Sequence, residues 1–200
     1  MNSSYNIPAG GVRGDDLELR RQDAHDMDSL GAPRIPDPTT AGDFTRRFQA
    51  ADSLTLQECI NRTRQRVCSQ PPRGFPAEAY VAVDGTSAGT LGKCKGGLNM
   101  SCKGIGGYAP LIVSLTNTNK VLSVVNRPGN AGSHAESVEG IDRAMALVRP
   151  QAGFVTVRGD TDFTHPAHRD RWDAQGPKFL LGRNAHAKVV GLAEALAADD

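Results

Sequence analysis

Two aspartates stand where carboxylates can do metal chemistry. Asp84 closes the apolar run Ala79-Tyr80-Val81-Ala82-Val83, and Asp160 follows Phe154-Val155-Thr156-Val157 by way of Arg158-Gly159. A short apolar run ending on a carboxylate reads as a buried strand that delivers the acid to its carboxyl end. If the two strands are neighbours reached through a crossover helix, both acids arrive at one edge of a sheet. Such a pair suits Mg²⁺ or Mn²⁺, since a hard cation takes oxygen ligands and keeps several waters. Two such ions about 4 Å apart can activate a water and steady the leaving oxygen of a phosphodiester displacement. Asp is also frequent as a turn cap after a strand, and spacing alone leaves both uses open.

Other groups join these as candidates. Lys93, Lys95 and Lys103 interleave with the glycines that follow Asp84, eight of them between Gly85 and Gly107. A basic, pliable loop of that kind can track a DNA backbone, and it can equally be a solvated hairpin. Arg158, two residues before Asp160, can orient a phosphate or pair with a nearby carboxylate. His134, His165, His168 and His186 read as turn residues, because a two-metal displacement needs no histidine base. The stretch around Asp84 also meets a second pattern. Asp-x-Asp-Gly-Thr after a strand marks haloacid-dehalogenase-type phosphatases, but the nucleophile position here is Ala82, which leaves no carboxylate for covalent catalysis.

The elements that must position these groups follow from period and punctuation. The first strand ends at Asp84. Two further β-type runs, Tyr108–Leu115 and Lys120–Val125, are separated by the turn Thr116-Asn117-Thr118-Asn119 and complete a three-strand meander. Ser133 and Glu136 make a capping box for a helix whose apolar face is Val138, Ile141, Met145 and Val148, ended by Pro150. The strand leading to Asp160 comes next, then a short helix near 166–175, a strand at Lys178–Leu181 and a last helix near 186–197. The order is β-β-β-α-β-α-β-α, an α/β class.

Upstream, residues 1–40 are polar and end in Arg34-Ile35-Pro36-Asp37-Pro38, whose prolines oppose regular structure, so they read as an arm or linker. Residues 41–76 read as a helical pair. Thr40 with Asp43 caps a helix over about 41–50, and Ser53 caps a second with Leu54, Leu56, Ile60 and Val67, stopped by Gln70-Pro71-Pro72-Arg73-Gly74.

Composition sets the outer bounds. The chain has 200 residues, 23 Lys+Arg against 22 Asp+Glu, and 38% hydrophobic content, which describes a globular chain without a strong overall pull on nucleic acid. The charge is uneven, however, and residues 77–132 hold five Lys/Arg against two Asp/Glu. No window approaches the roughly 18 to 20 apolar residues of a membrane span, and the start carries no signal-peptide pattern. A cytoplasmic chain is expected, with Cys59, Cys68, Cys94 and Cys102 as thiols that lack zinc-type spacing. Only ten aromatics (6 Phe, 3 Tyr, 1 Trp) accompany 22 Gly and 12 Pro, which predicts a thin core.

VDGT at 83–86, MSCKGIGGYAPLIVSLTNTNKVLSVVNRPGNAGSH at 100–134 and RGDTDFTHPAHRDRWDAQGPKFLLG at 158–182 closely resemble DDE transposases of bacterial insertion sequences, in particular the thirteen-eighty group. DDLELRRQDAHDMDSLGAPRIPDPTTAGDFTRRF at 15–48 is similar to the same group. The resemblance implies a partial ribonuclease-H-like core over residues 77–200. It implies Mg²⁺-dependent cleavage at transposon ends and transfer of the freed 3′ hydroxyl to a target. Asp84 matches the first catalytic aspartate and Asp160 the second, with Asp162 secondary. It implies DNA as partner, assembly as a homodimer or with a full-length transposase, and a nucleoid-associated location.

The pattern departs at the third carboxylate, a glutamate that relatives carry further downstream. Glu194 falls 34 residues after Asp160 and is the one local substitute, with a solvated helix position as its alternative. Relatives of that group are more than twice as long, so the resemblance implies a chain clipped at both ends and little activity of its own. Exposed apolar patches on the helical pair and on the last helix are expected in consequence.

Overall fold

Alternation builds the central strand. In Glu78–Gly85 (β1), Ala79, Val81 and Val83 are buried, while Tyr80 and Asp84 on the opposite face are exposed. This arrangement is seen in a computed structural model that describes residues 6, 10–69, 76–92, 95–164, 166–174 and 176–196. β1 is the middle of a five-stranded mixed sheet. Leu111–Leu115 (β5) pairs with it antiparallel and Lys120–Val125 (β6) continues outward, again antiparallel. On the other side Phe154–Gly159 (β7) and then Lys178–Leu181 (β8) run parallel to it. The spatial order is β6-β5-β1-β7-β8. The residues between β1 and β5 form a separate three-stranded sheet of Ala88–Gly89 (β2), Gly106–Tyr108 (β4) and Asn99–Met100 (β3), in the order β2-β4-β3.

Three helices follow the meander, with element bounds Ser137–Val148, Pro166–Asp173 and Ala187–Leu196 (α5, α6 and α7, counting the four upstream helices below). With the small sheet set aside, the order is the expected β-β-β-α-β-α-β-α. α5 buries Ile141, Ala144, Met145 and Val148 against Val81, Val83, Leu111 and Val113. A Cβ at Gly140 would lie 3.1 Å from Val113 Cγ2, so this glycine lets the helix sit close on β5. α6 supplies the one Trp of the chain. Trp172 is 1% exposed and stacks on Phe179 of β8 with 6.0 Å between ring centroids. Its Nε1 donates to Asp142 Oδ1 of α5 at 2.8 Å, and Arg171 Nη2 donates to both oxygens of the same carboxylate.

The structure corrects several expectations. The run Tyr108–Leu115 is two strands, because Pro110 has no N–H to give a ladder, and its carbonyl instead accepts from Thr86 N at 2.9 Å. The capping box Ser133/Glu136 does not form. Glu136 is the N-cap residue, in the left-handed region at φ 59, and makes no side-chain cap bond. The Arg127 guanidinium claims the carbonyls of Gly132, Ser133 and Ala135 and so dictates the shape of that loop.

The chain divides into two compact units, Met1–Glu58 and Cys59–Asp200. The first holds more order than an arm. Leu17–Gln22 (α1), Ala24–Ser29 (α2) and Pro38–Thr45 (α3) surround a small core of Leu17, Ala32 and Ile35. Pro38 begins α3 instead of preventing it: its fixed φ suits the first helical position, and Asp37 caps the turn by accepting from Thr40 N at 3.0 Å. The second helix of the expected pair, Ala50–Cys68 (α4), also starts before Ser53, with Asp52 accepting from Gln49 N. The stop signal at 70–74 lies outside the described residues.

Leu56, Ile60 and Val67 on α4 and Val190, Leu192 and Leu196 on α7 are exposed, as expected for those two places. Among the described residues, Cys59, Cys68 and Cys102 are free thiols, and no helix is long and apolar enough to cross a membrane.

Asp142 joins α5 to α6 chiefly by satisfying a buried indole N–H, since its ion pair with Arg171 is partly solvated. Asp142→Ala is therefore expected to cost about 1–3 kcal/mol in urea unfolding followed by Trp172 emission, the cost of an orphaned buried donor.

Candidate functional site

Register brings the two aspartates together. Ala82 of β1 is the parallel partner of Arg158 of β7, and Asp84 and Asp160 each follow that pair by two residues. Neighbouring strands lie about 4.8 Å apart. Both acids stand at the carboxyl ends of their strands and line an open cleft of about 770 Å³. Thr86, Ser114, Arg158 and Gly182 line it with them. Asp84, Ser114 and Arg158 share one face through the period of two, the face opposite the buried Val81, Val83, Val113 and Val157.

The two carboxylates differ in their attachments. Asp84 is exposed and has no hydrogen-bond or ion-pair partner among the described residues, so the turn-cap use does not apply to it. Asp160 caps the 3-10 turn Thr161–Phe163, its Oδ1 accepting from Asp162 N at 2.9 Å. One of its oxygens is thus oriented by the turn. That turn is packed against the end of β8: Gly182 N donates to Gly159 O at 3.1 Å, and Thr164 Oγ1 donates to Gly182 O. A Cβ at Gly182 would lie 2.9 Å from Thr161 N. The absence of a side chain there is what lets β8 support the Asp160 turn.

The remaining sequence candidates are placed as follows. Arg158 lines the cleft and pairs with no carboxylate among the described residues. Lys95 and Lys103 are exposed on the small sheet's loops, outside the cleft lining, and Lys95 Nζ donates to Thr90 Oγ1 at 2.8 Å. Lys93, Cys94 and His165 lie outside the described residues. His134, His168 and His186 are not in the cleft lining. Asp162 and Glu194 are exposed and are not in that lining either. Among the described residues, no group of three or more His, Cys, Asp or Glu side chains is placed to hold a metal ion. The donors in the cleft are nonetheless of the right kind for a hard cation: two carboxylates, neighbouring hydroxyls, and no sulfur or imidazole.

Ser114, Thr116, Thr86 and Gly182 were not singled out from sequence. Alternation in Leu111-Ile112-Val113-Ser114 places Ser114 on the Asp84 face once the strand pairing is known, and that pairing is the information a single strand lacks.

Neither a protein-family model nor a curated protein matches the chain. Among solved structures, it is similar to a piggyBac transposase seen by cryo-EM in a synaptic complex with hairpin DNA. That match has 17% identity and a TM-score of 0.39, and covers 73% of this chain and 34% of the other. The chain spans about a third of the length of that structure, and likeness at this level carries no functional argument. The resemblance to the thirteen-eighty group accordingly rests on the sequence motifs.

Gly182→Val is expected to cost about 1–3 kcal/mol by forcing β8 away from Thr161. Gly191→Ala on α7, where a Cβ meets nothing within 4 Å, is expected to be neutral or slightly stabilising. Urea unfolding of both variants checks the contrast.

Proposed function

We propose that this chain is the ribonuclease-H-like core region of a DDE-type transposase of the thirteen-eighty group, acting on DNA by phosphodiester cleavage and strand transfer. The observation that carries the reading is the free Asp84 carboxylate and Asp160 lining one open cleft, where the adjacent parallel strands β1 and β7 end. The motifs around both residues support it, as does the element order, with β1, β7 and β8 parallel and β5 and β6 antiparallel.

Asp84 and Asp160 would hold Mg²⁺ or Mn²⁺, which when bound supplies an activated water and stabilises charge developing on the phosphate oxygens. Arg158 lines the same cleft and would orient the scissile phosphate. Lys93, Lys95 and Lys103 would follow the DNA backbone away from the cut, adding affinity that falls with salt. In the first step water attacks phosphorus and the 3′ oxygen leaves as a hydroxyl. In the second that hydroxyl attacks a target phosphodiester and displaces its 3′ oxygen. The partners would be transposon ends, target DNA and another transposase copy, identical or full-length, in the nucleoid.

A second reading has its own support. The described residues gather two carboxylates and no third, which favours a non-catalytic DNA-binding or dimerisation role with little cleavage by the chain alone. Gel shifts on transposon-end DNA together with a nicking assay in Mg²⁺ or Mn²⁺ separate the two. For the enzyme, Asp84→Asn and Asp160→Asn each lower nicking by about a hundredfold or more with DNA binding retained. Binding without nicking in the unsubstituted chain supports the second reading, and absence of both rejects both.

A further inference from the structure

We propose that Arg127 is a positioning residue for the cleft, holding the Asp84 end of β1 in place from the opposite face of the sheet. Arg127 is 2% exposed. Its Nε donates to Ala109 O at 2.8 Å, and Ala109 N returns a bond to Arg127 O at 2.9 Å. Nη1 reaches three carbonyls, Gly132 at 3.2 Å, Ser133 at 2.9 Å and Ala135 at 2.6 Å. Nη2 lies under Gly85, 3.4 Å from where a Cβ on that glycine would be. One guanidinium therefore bonds the link between β4 and β5 and the loop that leads into α5, and occupies the space beside Gly85, the residue after Asp84.

The two residues after Arg127 extend the same clamp to the small sheet. Pro128 bridges Tyr108, and Gly129 N donates to Gly107 O at 3.1 Å. A Cβ at Gly129 would fall 2.4 Å from Asn99 O, so no other residue permits that approach without a shift. Thr86, next along from Gly85, lines the cleft and donates its N–H to Pro110 O beside Ala109. Movement of Arg127 is thereby passed to Asp84 and Thr86 through one residue of backbone. Among the described residues every acceptor of this cation is a carbonyl, and burial pulls its pKa down while the charge of Glu136 opposes the shift. A buried cation without a bonded carboxylate is a poor choice for stability alone, and the fork geometry is what a lysine cannot reproduce.

The proposal rests on the reading of Asp84 and Asp160 as metal ligands, and the experiment separates the two claims. Mn²⁺ is titrated into the full chain and the free ion followed by electron paramagnetic resonance, for the unsubstituted protein, Asp84→Asn, Arg127→Lys and Arg127→Met. Amide exchange is read at Thr86, with Val157 as control. The expected result is that both Arg127 variants keep cooperative unfolding and native Trp172 emission, bind Mn²⁺ about tenfold or more weakly, and exchange faster at Thr86 but not at Val157. Unchanged Mn²⁺ affinity and unchanged Thr86 exchange in both variants overturn the role. If the unsubstituted chain binds Mn²⁺ no better than Asp84→Asn, the metal reading fails. The Arg127 claim is then decided by Thr86 exchange alone, supported if faster and overturned if not. Loss of the fold in both variants also overturns it, because the residue is then a general core group and not a local support.

Discussion

The parallel pairing of β1 with β7 is the constraint on which the rest depends. It pairs Ala82 with Arg158, two residues before Asp84 and Asp160 respectively, and both acids line one cleft. A slip of one residue would turn Asp84 toward the core and Val83 toward the cleft. Val81, Val83, Val155 and Val157, all buried in one cluster with residues of α5 and α6, make that slip expensive, since each would exchange a packed site for water. The apolar face thus fixes the geometry of the polar one.

Support for the cleft comes from the backbone and from close approach. Gly182 admits β8 to the Asp160 turn, Gly129 admits the segment after β6 to the small sheet, and Gly140 admits α5 to β5. The abundance of glycine beside few aromatics has a partial physical account here. Where layers meet through backbone, contact is made by removing side chains, and the core needs fewer large ones. Arg127 works in the same way from the other face, tying together carbonyls that no strand or helix satisfies.

Much of this was legible in the residues. The short apolar run Ala79–Val83 pointed to the strand that ends on Asp84, and the three-four spacing of Val138, Ile141, Met145 and Val148 pointed to α5. The failures have separate causes. Ser133 and Glu136 suit a capping box, but Glu136 itself is the N-cap residue, in the left-handed region, and makes no side-chain cap bond. Pro38 reads as a breaker until Asp37 is seen to cap the turn it opens. Residues 14–29 look like a polar arm because the few apolar groups that order them, Leu17, Ala32 and Ile35, are too widely spaced to form a pattern. At the site, Asp84 and Asp160 were visible as strand-end acids, whereas Gly182 and Ser114 acquire meaning only through pairing.

The central claim is that Asp84 and Asp160 form one cation site at the mouth of the cleft. Its most direct test is anomalous diffraction from crystals of the chain soaked in Mn²⁺. The account predicts a peak within ligand distance, about 2.0–2.6 Å, of carboxylate oxygens from both aspartates. Manganese found only elsewhere, or bound to one of the two acids without the other, would contradict it.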